Sequence, residues 1–323
     1  MKSHQTKPLA RVVLLMIAML AIPAALTLRT VLVPGTLEIP SDDPTPYGYT
    51  WSLLLFIFPL VVIAWWFIRH PRFTFQRTAY WMTIGILAPI GFGLDILLGH
   101  TFFEFRNPGA TLGLTVPGVG GPLPIEEFVF YLSGFLFILL FYIWNDEFWL
   151  EAYNVPDYAD ATRDAGPILS FHAGSLVLGA ALLIAAIVYK KLFAEDPAGF
   201  PGYFAFLLAV AFVPAMGLFR SVRPFINWRA FTLTSFIVVL ISLLWEVTLA
   251  LPYGWWAFQP RMMMGLTIGA WSDLPIEEVF LWFVVTFATV VVFETLKIWL
   301  ASGKGFLEAM AGRRSTQGER PRS

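Results

Sequence analysis

The sequence predicts an all-α polytopic membrane protein, with about eight transmembrane helices arranged as a tandem parallel repeat of a four-helix unit. Three observations carry this. Apolar residues make up 58% of the 323-residue chain and charged residues only 13%, where a soluble domain holds about 25% charge; mean hydropathy is +0.70. The apolar residues fall into runs near the roughly 20 residues that a helix needs to cross a bilayer. The string Leu-Pro-Ile-Glu-Glu occurs twice, at Leu123–Glu127 and Leu274–Glu278, each time opening such a run.

In chain order the expected spans are Leu9–Val33, Thr50–Ile68, Thr78–Leu98, Leu123–Trp144, Pro167–Tyr189, Gly202–Phe219, Ala230–Leu249 and Leu274–Leu300. Lys2, Lys7 and Arg11 precede or open the first. Its apolar stretch exceeds a secretory h-region and lacks a clear Ala-x-Ala site, so it reads as a retained helix. Pro275 follows Pro124 by 151 positions, and the same step carries Asp95 to Glu246, Arg69 to Arg220, Arg72 to Arg223 and Gly118 to Gly269. The expected organisation is therefore a first unit over 1–150, a second over 151–302, and a basic, disordered tail over 303–323. Four spans per unit give the copies the same orientation, so both Glu-Glu pairs fall at one membrane face.

Positive charge orients the chain. With the N-terminus inside, 16 of the 21 Lys and Arg fall in inner segments and five in outer ones, which places both termini in the cytoplasm of a multi-pass cell-membrane protein. The acidic stretch Asn145–Ala165, with only Arg163, runs against that trend. A net charge of −1 argues against nucleic acid as a partner, and the absence of cysteine excludes disulfides and thiolate catalysis. His4, His70, His100 and His172 have no ligand spacing, so no metal site is expected.

The acids are the candidate chemistry. A proline at the first helical position and a glutamate in the first turn suit any helix start, but a cap needs one carboxylate. An identical pair in both halves, each facing another acid on the preceding helix, exceeds that need, and ionisable groups at membrane depth are functional candidates by default. The candidates are Glu126, Glu127, Glu277 and Glu278, with Asp95 and Glu246 beside them. One glutamate of each pair is expected to face a cavity while its neighbour bonds backbone or an arginine. Crowded carboxyls in a low-dielectric layer can divide into proton donors and acceptors. Phe128, Phe130, Tyr131, Trp245, Trp255, Trp256 and Trp282 cluster near the motifs. Interfacial belts account for many such rings, yet a π face beside an acid can also stabilise a carbocation formed from an alkene.

Two Pro-x-Glu-Glu motifs ahead of apolar helices, acids on the preceding helices and "WEVTLALPYGWW" at Trp245–Trp256 resemble the integral-membrane, flavin-independent lycopene cyclases, in the form that fuses two small subunits into one chain. The resemblance covers essentially the whole chain. It implies lycopene as substrate, closure of its ψ ends to β rings through γ-carotene, and no net redox change. It further implies Glu126, Glu127, Glu277 and Glu278 as motif acids, with Asp95 and Glu246 assisting. Pro124, Pro275, Phe128, Tyr131, Trp245, Trp255, Trp256 and Trp282 are the expected substrate-binding positions, and other carotenoid-pathway membrane enzymes are expected associates. Related cyclases make ε rings or act on C50 carotenoids, so ring type and substrate length stay open.

No cofactor is expected: "VPGVGGPLP" (Val116–Pro124) lies in a loop between spans and is no dinucleotide fingerprint, and no Walker sequence is present. Among rivals, a prenyltransferase would need paired aspartate-rich motifs where only Ser41–Pro44 offers one. An intramembrane protease would need arginine where Tyr131 and Trp282 stand, and a retinal protein a mid-helix lysine, whereas Lys297 is near the end of its span. The remaining alternative is a proton-coupled transporter with parallel repeats.

Overall fold

The computed structural model describes residues 45–70, 75–155 and 167–312, with Ala18, Ile22 and Thr162 as isolated positions. Among these residues, seven helices are long and apolar enough to cross a membrane. The eighth expected span, Leu9–Val33, lies outside the described residues, as does Ser41–Pro44.

The chain enters as α1 (Gly48–Arg69) and α2 (Arg77–Phe102), then β1 (Phe103–Glu104) and the hairpin β2 (Thr115–Gly118) with β3 (Gly121–Pro124). Next come α3 (Ile125–Trp144), extended by a π turn over Asn145–Trp149, and α4 (Ala173–Leu192). α5 (Gly202–Leu207) continues through a π turn at Leu208–Phe212 into α6 (Val213–Val222), forming one span. α7 (Trp228–Trp245) ends in a π turn, Glu246–Ala250, followed by β4 (Ala257–Phe258), β5 (Thr267–Ile268), β6 (Leu274–Pro275), α8 (Ile276–Ser302) and the short α9 (Phe306–Ala311).

The centre of the bundle is α8. It packs on α2, α3, α6 and α7, while α3 packs on α1, α2, α7 and α8. α8 is the most enclosed span, with 61% of its apolar window buried against 22% for α1 and for α4. Those two outer helices show large apolar side chains outward, such as Phe58 and Val177. Such faces are stable only against lipid, because exposed apolar patches of this size are rare on soluble proteins. Pro59 and Pro89 sit inside α1 and α2, which membrane helices tolerate.

The short strands gather the ends of α2, α3, α7 and α8. β1 pairs with β4, matching Phe103 to Phe258, and so ties the loop after α2 to the loop after α7. Asn107 Nδ2 reinforces the link by donating to the Tyr253 carbonyl at 3.0 Å.

At the other end of α8 a buried ionic cluster closes the bundle. Lys297 Nζ lies 3.2 Å from Glu294, 3.7 Å from Asp146 and 4.0 Å from Glu147, and Tyr142 donates to Glu294 at 3.0 Å. The sequence reading of Asn145–Ala165 as one acidic loop is corrected here. Asn145–Trp149 continues the span of α3 as a π turn, which turns Asp146 inward.

The expected tail is corrected likewise. Gly303, at φ 65°, stops α8 in the left-handed region where glycine is favoured, and the chain then folds back as α9. Ala309 is buried, and the carbonyls of Ala309 and Met310 accept from Ile168 and Leu169 N–H. Ala309 and Met310 pack against the core of the bundle while Phe306 and Leu307 stay exposed, and residues beyond 312 lie outside the described residues.

The offset of 151 is kept by Pro124 and Pro275 but lost in the segments before them. The π turn at Glu246–Ala250 adds a residue that α2 lacks. The β5/β6 hairpin then drops one, pairing Thr267 with Pro275 where Thr115 pairs with Pro124. Gly118 therefore ends β2 while Gly269 starts a 3₁₀ turn, and the two are not equivalent. Arg69 closes α1, whereas Arg220 lies inside α6 and contacts His172 Nε2 at 2.5 Å.

Candidate active site

Each Leu-Pro-Ile-Glu-Glu string builds the same local structure. Pro124 and Pro275 end their strands and cap α3 and α8, with the isoleucine as first helical residue. The prolines thus stand one place earlier than expected, because they pair in the hairpins. Both glutamates fall in the first helical turn, where free N–H groups and the positive end of the helix favour acids.

The two glutamates of a pair do different work. Glu126 Oε1 accepts from Leu112 N at 2.7 Å and from Thr50 Oγ1 at 2.6 Å, and Glu277 Oε1 accepts from Met264 N at 2.5 Å. The first member therefore fastens the preceding loop onto its helix. The second member turns to a tyrosine. Tyr49 OH donates to Glu127 at 2.7 Å, and Tyr203 hydrogen-bonds Glu278.

Asp95 and Glu246 join these pairs. Tyr131 hydrogen-bonds Asp95 and lies within electrostatic reach of Glu127 and Glu278. Trp282 Nε1 donates to Glu246 Oε1 at 2.6 Å, and Glu246 also hydrogen-bonds Glu278. All six acids are buried, and one oxygen each of Asp95, Glu126, Glu246, Glu277 and Glu278 has no hydrogen-bond partner. Leaving a buried polar atom unpaired costs about 1–3 kcal/mol, and such concentration marks a site.

A cavity of about 140 Å³ opens beside this layer, between α2, α3, α5 with the π turn that follows it, and α8. Its wall is apolar and aromatic except for Asp95, Tyr131, Tyr203, Trp282 and Thr289. Gly99, one turn beyond Asp95, keeps that carboxyl uncrowded, since a Cβ there would stand 2.9 Å from Oδ1.

Several expected positions are placed elsewhere. No glutamate of either pair lines the cavity; Asp95 does, and of the tyrosines that meet the second glutamates Tyr203 lines it and Tyr49 does not. Tyr131 and Trp282 line it as expected. Phe128 packs edge-on against Phe92 instead. Trp245, Trp255 and Trp256 form an aromatic cluster around Tyr49, with Trp245 and Trp256 centroids 5.0 Å apart. They cover the back of the Tyr49–Glu127 pair because the loop after α7 folds under α1. Pro124 and Pro275, held in their hairpins, also miss the cavity.

Tyr49 and Tyr203 were not anticipated. The signal exists: Gly48-Tyr49 and Gly202-Tyr203 open two spans, but at a step of 154, which comparison at 151 passes over. Among the described residues no cluster of His, Cys, Asp or Glu could hold a metal ion. Comparisons with protein-family models, curated proteins and solved structures found no match to this chain.

Proposed function

We propose that the chain is an acid–base catalyst acting on the end of a long apolar polyene, a lycopene cyclase forming β rings, built from two units related by a tandem repeat. The observation that carries this reading is Asp95: a buried carboxyl with one unpartnered oxygen, set in the wall of an otherwise apolar and aromatic cavity and facing Glu127 and Glu278 across Tyr131.

In this reading the polyene end enters the cavity and a carboxyl of the layer delivers a proton to C2 of the terminal alkene. The cation at C1 closes onto the C5–C6 double bond, and a proton leaves the ring to a neighbouring carboxylate. The product is an isomer of the substrate, so atoms and electrons balance without a redox partner. Phe130, Tyr131 and Trp282 offer π faces to the cation. In this reading one of the adjacent carboxyls Glu246 and Glu278 is the donor, and the tyrosines link Asp95, Glu127 and Glu278. The first glutamates hold loops, which explains the doubling: each motif supplies one clamp and one chemical acid.

The test is pigment analysis in a lycopene-accumulating bacterium expressing the chain, beside Asp95→Asn, Glu127→Gln and Glu278→Gln, with chromatography resolving acyclic, monocyclic and bicyclic products. Cyclic pigment that disappears in the variants is expected. Unchanged lycopene with the intact, membrane-inserted chain would sink the assignment.

A further inference from the structure

A second, much smaller cavity of about 10 Å³ lies across the α3–α8 contact and shares Phe130, Gly134 and Trp282 with the large one. The two correspond by exchange of the halves. The large cavity lies between α2, α3, α8 and the α5–α6 span; the small one is lined from α7, α8, α3 and α1. The packing obeys the same exchange, α3 resting on α1, α2 and α7 where α8 rests on α6, α7 and α2.

What differs is side-chain size. At the step of 151, Leu94 in the large cavity corresponds to Trp245, and Ala288 to Phe137. In the register set by the Gly-Tyr openings, Val210 corresponds to Phe56, and Ala211 beside it is smaller still. Phe56 and Phe137 line the small cavity, and Trp245 packs edge-on against Phe56 at 5.3 Å and stacks on Phe130 at 5.5 Å. Three bulky rings therefore occupy the volume that leucine, valine and alanine leave open on the other side. The acids follow suit: Asp95 lines the open cleft, while Glu246, one step past Trp245, is held by Trp282 and lines neither cavity.

We infer that, of these two cavities among the described residues, one is a binding cleft for a ring-sized isoprenoid end group and its counterpart is closed by Trp245, Phe56 and Phe137. A dry apolar cavity of about 150 Å³ accepts a benzene ring, whereas about 10–15 Å³ is the least that holds one water. The open cleft thus takes one end group at a time, and the closed one takes none. This rests on the reading of the halves as equivalent units and, for the chemical class of the occupant, on the proposed reaction.

The test needs no catalytic activity. Crystals of the intact chain soaked in bromobenzene should show one bromine anomalous peak, among Leu94, Val210 and Ala288. Co-soaking with β-ionone, a free copy of a cyclised end group, should remove it. Leu94→Trp should abolish the peak, and Trp245→Leu with Phe137→Ala should add a second near Ser242; Trp245→Leu with Phe137→Leu serves where that double variant does not fold. A wild-type peak near Ser242, no peak in the open cleft, a peak that survives β-ionone, or a folded double variant without a second peak would each overturn the inference. Failure of the cyclase reading would appear separately, as unchanged pigment beside an intact bromine pattern.

Discussion

Replacing Lys297 with methionine separates the two buried acid groups of this molecule. Lys297 and Glu278 lie on the same helix 19 positions apart, roughly 28 Å at about 1.5 Å per residue, so the ionic cluster is remote from the proposed chemistry. Methionine keeps the length of the lysine stem but removes the cation 3.2 Å from Glu294 and 3.7 Å from Asp146, both fully enclosed. Breaking a buried ion pair by removing one partner costs about 3–5 kcal/mol, because an uncompensated charge remains. Adding Glu294→Gln should return about 1–3 kcal/mol, since one of the stranded carboxylates is then neutral. The assay is reversible unfolding in mixed detergent micelles, followed by tryptophan fluorescence and paired with pigment analysis of the membrane-inserted fraction. The folded Lys297→Met variant should cyclise at the wild-type rate per molecule. A stability change below about 1 kcal/mol, or a folded variant that has lost its product, would refute the assignment of this cluster to structure alone.

Other variants sort the acids by role. Asp95→Asn should lower the cyclisation rate by about 10²–10⁴-fold, the usual contribution of a general acid or base, with little change in the amount of folded protein. Glu126→Gln should fold and retain most activity, because an amide oxygen can still accept from Leu112 N and Thr50 Oγ1; Glu126→Ala should lose about 1–3 kcal/mol by stranding that N–H, read in the same unfolding assay. Gly99→Ala should slow turnover without unfolding the protein, because its methyl would press on Asp95; an unchanged rate would show that the carboxyl has room to move. Trp245→Ala should destabilise by about 3–5 kcal/mol, the range for emptying a large aromatic from a packed core.

The sequence alone determined a great deal. The membrane class, seven of the spans with ends off by up to six residues (Pro167 expected, Ala173 found), and the placing of both Glu-Glu pairs in first helical turns all follow from apolar run length and helix-start chemistry, which are local properties. What only the tertiary structure decided was how those elements share space. Glu126 and Glu127 are adjacent and chemically identical, yet one meets Leu112 N and the other Tyr49, because neighbouring residues on a helix point about 100° apart toward different parts of the fold. Asp95 became the acid of the cavity wall, and Trp255 and Trp256 a backing cluster, through packing of segments more than a hundred residues apart. A π turn at Glu246–Ala250 and a hairpin one residue shorter set the segment before Pro275 apart from the one before Pro124. A fixed sequence step follows the chain, whereas a cavity is set by side-chain volume where helices meet, so the cavity beside Asp95 becomes visible only in three dimensions.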